Sequence, residues 1–175
     1  MLNSPKGPLV EVSIEDQLLR FTRDERVVHY PVSTAKLGTG QTKGSNQTPL
    51  GWHRVRAKIG AGAQENSVFI GRRFTGEIYN QALAKQYPER DWILSRILWL
   101  SGCDMGHNRL GDVDTMQRYI YIHGTPDSEP MGIPQSHGCI RMRNADVIAL
   151  FDQLDVGCAL WIQQASFARA SCQSV

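Results

Sequence analysis

The sequence lacks a long apolar run, an excess of either charge and any internal repeat. Its longest apolar runs, residues 97–100 and 147–151, are far shorter than the roughly 18 residues that a transmembrane helix needs. Lys and Arg number 19 against 17 Asp and Glu, so the net charge is only +2. Because nucleic-acid binding depends on a concentrated basic surface, we expect neither nucleic acid nor a membrane as partner.

Cysteine is scarce as well, with four residues in a chain of 175. The first residues show neither the apolar segment nor the small-residue cleavage site of a secretory signal, which predicts a cytoplasmic location. Thiols stay reduced in that compartment, so we expect no disulfides. The length fits one domain over residues 1–175, with a core at about 8–163.

Strand patterns outnumber helix patterns along the chain, which predicts a mostly β fold with a few helices. Strands are predicted in three segments of residues 9–32 and at 52–59, 67–71, 92–100, 119–123 and 159–162. One helix is predicted over residues 77–86, before Pro88, and another from an N-cap at Asn144 to Gly157. Loops are expected at 36–51 and 103–114, and the residues after Gln163 have no assignment.

The segment most informative about chemistry is residues 123–142. His123 is predicted at the end of a strand, a loop rich in Pro and Gly follows, and Cys139 comes just before a predicted helix start. A cysteine is nucleophilic as the thiolate, so it needs a base or a positive neighbourhood, which His123, His137 or Arg141 could provide. Gly138 allows the backbone turn that directs N–H groups at an oxyanion.

Two other interpretations of this segment stay open. A cysteine near a histidine is most often a packed thiol, and His123, His137 and Cys139 could instead ligate zinc. A structural zinc site needs four ligands at characteristic spacings, and the sequence shows no such set. Cys103, Cys158 and Cys172 have no comparable context, so no metal and no cofactor is predicted.

Four segments together resemble the L,D-transpeptidase (YkuD-type) catalytic domain family. They are Tyr-Ile-His-Gly-Thr at 121–125, Ser-His-Gly-Cys-Ile-Arg-Met at 136–142, Pro-Val-Ser-Thr at 31–34 and Thr-Pro-Leu-Gly-Trp at 48–52. The resemblance covers most of residues 8–163. It implies a twisted β-sandwich with a few helices and cysteine-based acyl transfer on peptidoglycan stem peptides.

The resemblance also implies a role for each matching residue. Cys139 is the expected nucleophile, and His123 is the expected base, oriented by the carbonyl of Gly124. Backbone N–H groups of Gly138 and Cys139, with His137, are expected to form an oxyanion hole. Ser136 and His137 are expected to brace the loop or touch substrate. Arg141 either anchors a substrate carboxylate or fixes the loop through a salt bridge, and both alternatives remain open.

The implied reaction cleaves the L,D bond before the terminal D-Ala of a tetrapeptide stem and passes through a thioester. A cytoplasmic enzyme would meet muropeptides and water, which favours an L,D-carboxypeptidase in peptidoglycan recycling. The alternative is a transpeptidase that forms 3→3 cross-links or attaches wall proteins. A non-catalytic peptidoglycan-binding module is a more distant alternative. Carbapenem-type β-lactams are expected to inhibit covalently, and residues 74–114 form either a lid or ordinary packing.

Overall fold

The computed structural model describes residues 7–170, with side chains described as far as residue 168. Ten strands and three α-helices form within that range, and the predicted mostly β class is confirmed. The strands are β1 (Leu9–Ser13), β2 (Leu18–Arg23), β3 (Arg26–Pro31), β4 (Gly51–Ile59), β5 (Ser67–Ile70), β6 (Arg73–Ile78), β7 (Ile93–Gly102), β8 (Tyr121–Thr125), β9 (Ile140–Arg143) and β10 (Ala159–Gln163). The helices are α1 (Gln81–Gln86), α2 (Asn144–Gln153) and α3 (Phe167–Ala170), and Gly111–Val113 form a 3₁₀ turn.

All ten strands belong to one curled sheet. Its main path runs β3-β2-β1-β10-β4-β7-β5-β6. The long strand β7 pairs with β4 and then β5 along one edge and with β8 along the other. β8 in turn pairs with β9 in parallel. The strands that contain or adjoin the predicted site, β8 and β9, therefore branch from the centre of the sheet.

The largest cluster of buried apolar side chains lies between the sheet and α2. The apolar face of α2 contributes Val147, Leu150, Phe151 and Leu154, and Ile122 of β8 and Ile140 of β9 face them. Each of these side chains is at most 3% exposed, so the cluster removes nearly all of its apolar surface from water. The packing of α2 thereby fixes the positions of β8 and β9.

Two strands are not predicted by the sequence pattern. The last two residues of β6, at 77 and 78, were expected to begin the first helix. That helix is shorter than predicted and covers only Gln81–Gln86. β6 is mostly exposed and so lacks the apolar alternation from which strands are recognised. β9 follows Cys139 directly, so the expectation that a helix starts there is wrong.

The prediction that Asn144 caps α2 is also wrong. Arg143 is the N-cap residue, and Asn144 is the first residue of the helix, with its side chain fully buried. Its Oδ1 accepts a hydrogen bond from Ser95 Oγ at 2.6 Å, and its Nδ2 donates to the carbonyl of Thr125 at 3.0 Å. Asn144 therefore joins β7, β8 and α2 behind the predicted site, a role that its place before a helix does not reveal.

The residues after Gln163 had no assignment, and among those that the structure describes, Phe167 packs against β2 and the turn between β1 and β2. The backbone N–H of Phe167 donates to Asp16 Oδ2 at 2.8 Å, and the Arg20 guanidinium lies 4.3 Å from the centre of the Phe167 ring. No helix within residues 7–170 combines the length and apolar character needed to cross a bilayer.

Candidate active site

The parallel pairing of β8 with β9 places His123 and Cys139 on the same side of the sheet. Ile122 lies opposite Ile140, and both side chains point into the main core. Because side chains alternate along a strand, His123 and the residue just before β9, Cys139, both point away from that core. His123 lies in the middle of β8, which ends two residues later at Thr125. Its predicted place at the end of a strand is therefore wrong.

The sulfur of Cys139 lies against backbone polar groups and apolar side chains. Sγ accepts a hydrogen bond from the N–H of Tyr121 at 3.3 Å and lies 3.5 Å from the carbonyl oxygen of Tyr119, to which the thiol donates. Cys139 also packs against the cluster of Phe69, Ile97 and Tyr121. Burial raises the pKa of the Cys139 thiol to about 12, although the Tyr121 N–H and nearby Arg141 and Arg118 lower it in part. In the free protein, Cys139 is therefore a neutral thiol at neutral pH.

His123 is buried and held by one backbone contact. Its Nδ1 lies 2.7 Å from the carbonyl oxygen of Gly124, and only 1% of the residue is exposed. A carbonyl only accepts, so Nδ1 carries the proton and Nε2 keeps its lone pair. Burial lowers the pKa of His123, against the opposing effects of the Gly124 carbonyl and Asp91. His123 is thus a neutral imidazole with one nitrogen available to accept a proton.

Gly124 is required at its position by the close approach of other atoms. A Cβ at residue 124 would lie 2.6 Å from the backbone oxygen of Leu94 and closer still to Asn144 Oδ1. Any larger residue would push β8 away from β7 and shift the carbonyl that holds His123. The Asn144 side chain therefore supports the histidine through Gly124, and the sequence carries no signal for this contact.

The loop before Cys139 is fixed by hydroxyl groups. Ser136 Oγ donates to the carbonyl of Cys139 and accepts from the N–H of Gly138 at 3.2 Å. Thr48 Oγ1 donates to the carbonyl of Gly138 at 2.9 Å, so the 36–50 loop also supports this turn. Gly138 has φ +130° with the carbonyl of Gln47 close to its Cα, a conformation that favours glycine. Ser136 lies in the loop as a brace, and Thr48 joins it there.

Arg141 forms an ion pair with Asp91, a partner that the sequence does not indicate. Its Nη2 lies 2.7 Å from Asp91 Oδ1, and Glu129 lies 3.8 Å from its Nη1. His137, which is exposed, faces the other oxygen of Asp91 at 3.5 Å. Burial alone would raise the pKa of Asp91, but Arg141, His123 and His137 together hold it below its ordinary value.

These charged residues line one pocket near His123 and Cys139. It has a volume of about 250 Å³, and Glu129, Gln135, His137 and Arg141 are among its lining residues, with Asp91. Asp91 precedes β7 and belongs to the 74–114 segment, for which a lid and ordinary packing were both considered. Within that segment, β7 is a central strand of the sheet, and the residues around Asp91 line this pocket.

Arg118 connects the 36–50 loop to the segment before β8. Its Nη1 donates to the carbonyls of Gly40 and Gln41 at 3.0 Å each, and its Nη2 donates to the carbonyl of Gln47 at 2.6 Å. The guanidinium forms no ion pair with the part of the chain that the structure describes. Burial lowers the pKa of Arg118, and a Cys139 thiolate would raise it, so the two groups are electrostatic neighbours.

The other histidines and cysteines lie in different environments. His53 is buried with Nδ1 2.9 Å from the Gly51 carbonyl and Nε2 3.1 Å from Thr115 Oγ1, and burial lowers its pKa to about 4. Burial raises the pKa of Cys158 to about 11, and Cys172 lies outside the described residues. Over residues 7–170 the structure shows no group of three or more His, Cys, Asp or Glu side chains that could hold a metal ion.

Comparison with known proteins gives a family and a fold. The family description YkuD, L,D-transpeptidase catalytic domain, matches residues 7–162. Over 40 residues, the chain is 45% identical to the probable L,D-transpeptidase YbiS of Escherichia coli K12. That alignment covers 23% of this chain and 13% of YbiS.

Two solved structures are similar over most of the chain. An L,D-transpeptidase from Mycobacterium smegmatis matches 89% of this chain and 58% of its own, with a TM-score of 0.56 and 18% identity. L,D-transpeptidase 3 from Mycobacterium tuberculosis, solved with a faropenem-derived adduct, matches 90% of this chain and 60% of its own, with a TM-score of 0.57 and 15% identity. At these identities the likeness shows the fold. The chain spans less than two thirds of each of these relatives.

Proposed function

We propose a function from one premise: this chain belongs to the L,D-transpeptidase catalytic domain family. Its reaction is acyl transfer on peptidoglycan stem peptides, with Cys139 as nucleophile and His123 as general base. The observation that carries the proposal is the geometry of β8 and β9. It presents a half-buried thiol and a neutral imidazole on one side of the sheet, with Nδ1 of the imidazole held by Gly124.

The first half of the reaction forms a thioester. As the sulfur attacks the carbonyl carbon of the third stem residue, the thiol proton passes to Nε2 of His123. The tetrahedral intermediate then collapses, the bond to the terminal D-Ala breaks, and His123 returns the proton to the leaving amine. Proton transfer has to accompany attack, because burial disfavours both the thiolate and the imidazolium in the free protein.

The oxyanion of that intermediate needs hydrogen-bond donors. The proposed donors are the backbone N–H groups of Gly138 and Cys139, with His137 beside them. In the free protein, the N–H of Gly138 donates to Ser136 Oγ at 3.2 Å. Substrate binding would replace this hydroxyl with the developing oxyanion.

Water is the acceptor that we propose for the second half of the reaction, which makes the enzyme an L,D-carboxypeptidase. The ammonium group of a second stem would need a free carboxylate near the thioester. In the pocket beside the site, Asp91 and Glu129 are both within 4.0 Å of Arg141, and Asp91 also faces His137. Of the three carboxylates that line this pocket, Asp91 and Glu129 already contact Arg141, and Glu89 is exposed. Water needs no such partner. Arg141 on this proposal fixes the loop.

A cytoplasmic location in peptidoglycan recycling belongs to the same proposal, and cell fractionation tests it. Transfer to a stem-peptide amine is the second candidate function. It is favoured by the relatives that carry the name L,D-transpeptidase. The chemistry at Cys139 is the same for both acceptors.

Mass spectrometry of the purified protein tests the reaction. A tetrapeptide should be converted to tripeptide and D-Ala, and a carbapenem-type β-lactam should add its mass to the protein. Cys139→Ala should abolish both, and Cys158→Ala, the matched control, should preserve both. A β-lactam adduct that persists in Cys139→Ala would refute the assignment of the nucleophile. The faropenem-derived adduct of the M. tuberculosis relative supports this choice of probe.

A further inference from the structure

A second pocket, of about 590 Å³, shares no lining residue with the pocket at Asp91. Its walls are mostly apolar or small, with Ile59, Ala63 and Phe69 among them. These three residues belong to the cluster against which Cys139 packs. This cluster therefore connects the walls of the pocket to Cys139. Arg72 is the charged residue among the described residues that line it.

The guanidinium of Arg72 is exposed but held in place by aromatic side chains. Its Nη1 donates to the hydroxyl of Tyr121 at 3.2 Å. Its central carbon lies 4.3 Å from the centre of the Trp99 ring and 5.1 Å from that of Tyr119, and these two rings are stacked on each other. Stacking and one hydrogen bond orient a guanidinium and leave its remaining N–H groups available to a planar anion.

The positive charge of Arg72 has no counter-ion among the residues that the structure describes. Arg20, Arg90 and Arg141 each pair with a carboxylate. Arg72 and Arg56, whose guanidinium lies 5.3 Å from the centre of the Trp99 ring, form no ion pair within residues 7–170. A carboxylate brought by a ligand would therefore find an oriented and unpaired partner at Arg72.

Tyr121 connects this guanidinium to the nucleophile. Its backbone N–H donates to Cys139 Sγ at 3.3 Å, and its side-chain hydroxyl contacts Arg72. One tyrosine side chain thus separates Arg72 from the reacting sulfur. A group bound at Arg72 is therefore linked to Cys139 through a single residue, Tyr121.

We infer that Arg72, on its platform of Trp99, Tyr119 and Tyr121, binds a carboxylate of the stem peptide and selects substrates that carry one. The inference rests on the proposed function, because it assigns a specificity residue to that reaction. Three carboxylates of a tetrapeptide stem have the required chemistry. They are the terminal carboxylate of D-Ala, the side-chain carboxylate of a diaminopimelate third residue, which a lysine third residue lacks, and the α-carboxylate of the γ-linked D-Glu.

Calorimetric binding to Cys139→Ala protein tests the inference without depending on turnover. Three probes distinguish these sources: the diaminopimelate tetrapeptide, the same peptide with its D-Ala amidated, and the lysine tetrapeptide. Adding Arg72→Ala to the Cys139→Ala protein should weaken binding of the diaminopimelate tetrapeptide about tenfold or more. This is the usual scale for a hydrogen bond to a charged group. Arg72→Lys should retain part of the affinity. Arg73→Ala, which changes the adjacent exposed arginine, should leave it unchanged.

The pattern across the probes decides the outcome. If the effect of Arg72→Ala disappears with the amidated peptide, the terminal carboxylate is the ligand; if it disappears with the lysine peptide, the side-chain carboxylate is. An equal effect on all three peptides assigns the α-carboxylate of D-Glu, which all three probes keep. No effect of Arg72→Ala, or no measurable binding, overturns the inference. Turnover by the unmodified protein is measured separately. If binding depends on Arg72 but the unmodified protein leaves every tetrapeptide intact, the proposed function is refuted and this inference stands.

Discussion

At the scale of single residues, burial has opposite consequences for the two members of the proposed catalytic pair, His123 and Cys139. It lowers the pKa of His123, which keeps the imidazole neutral and able to accept a proton. It raises the pKa of Cys139 to about 12, which keeps the sulfur protonated until a substrate is attacked. The pair therefore differs from a preformed thiolate–imidazolium pair, and its pH dependence should show the difference.

The rate of Cys139 acylation by a β-lactam should depend on pH in a distinctive way. The imidazole acts as a base only when it is neutral, and its lowered pKa makes it neutral at a lower pH than an ordinary histidine, which titrates near 6.5. As the pH is raised, the rate should therefore increase up to about pH 6.5 and then stay level to about pH 8. Stopped-flow or mass-spectrometric rates across this range provide the measurement. A rate that rises about tenfold per pH unit throughout would show that a free thiolate is the reacting species.

The two histidines of the motif should differ in their effects on acylation. His123→Ala should reduce the rate at least ~100-fold, because a positioned base contributes on that scale. His137 is exposed and contacts Asp91 at 3.5 Å, so His137→Ala should retain most of the rate. Pre-steady-state acylation of the two variants gives the comparison, and thermal unfolding checks that both are folded. The reverse order of effects would exchange the roles of the two residues.

At the scale of elements, the site is a parallel strand pair whose connecting loop is fastened to a distant loop. β8 and β9 supply the reactive face, and Thr48 fastens the Gly138 turn to the 36–50 loop. Arg118 fastens the same loop to the residues before β8 through three backbone carbonyls. The glycines and polar residues of the 36–50 loop have no apolar core of their own, so these hydrogen bonds hold it.

Arg118→Ala should loosen this loop and slow acylation. Loss of several hydrogen bonds from a half-buried guanidinium should lower the free energy of unfolding by about 2 kcal/mol. The acylation rate should also fall, because the positive charge that favours the Cys139 thiolate is removed. Arg118→Lys should recover part of the rate but little of the stability, since an ammonium cannot reproduce the guanidinium fork. Denaturant unfolding and acylation rates give the two readouts.

Arg109→Ala is the matched control for the Arg118 variants. Arg109 is exposed in the neighbouring segment, and the structure shows no side-chain hydrogen bond or ion pair for it among residues 7–170. Its substitution should change neither stability nor rate. Equal stability of Arg118→Ala and Arg109→Ala would contradict the proposed fastening of the loop.

At the scale of the whole molecule, the two pockets that flank Cys139 differ in charge. The pocket on the Asp91 side contains carboxylates that are paired with Arg141. The pocket on the other side is mostly apolar and contains the unpaired Arg72. The curl of the sheet brings β5, β7, β8 and β9 around Cys139. One side of the site has Arg72, which forms no ion pair within residues 7–170, and on the other side Arg141 contacts two carboxylates.

This asymmetry leads to a prediction about how the thioester partitions. With a tetrapeptide and a millimolar amine acceptor, hydrolysis should exceed cross-linking about tenfold or more, because Asp91 and Glu129 already contact Arg141 and do not orient an ammonium for attack. Chromatography with mass spectrometry quantifies tripeptide and dimer, and Cys139→Ala provides the blank. A mixture dominated by 3→3 dimer would favour transpeptidation and leave the assignment of Cys139 intact.

The sequence by itself determined the strand pattern and the local order of the reactive groups. Alternating apolar residues identified most strands of the sheet, because a half-buried strand repeats every two residues. The segment from His123 to Cys139 also indicated the motif, since its members are close in the chain. The placement of β6 and β9 was not evident, because one strand is exposed and the other too short to show a period.

Only the tertiary structure decided which distant residues support the site. Asp91 meets Arg141, Asn144 meets Ser95, and Arg118 meets Gln47 across long stretches of chain. Arg72 reaches the site through Tyr121 and Trp99. None of these polar residues repeats with a helical or strand period, so their partners are set by how the sheet curls and how its loops close. A periodic pattern records which face of an element is buried, whereas the partner of a single polar side chain depends on the whole fold.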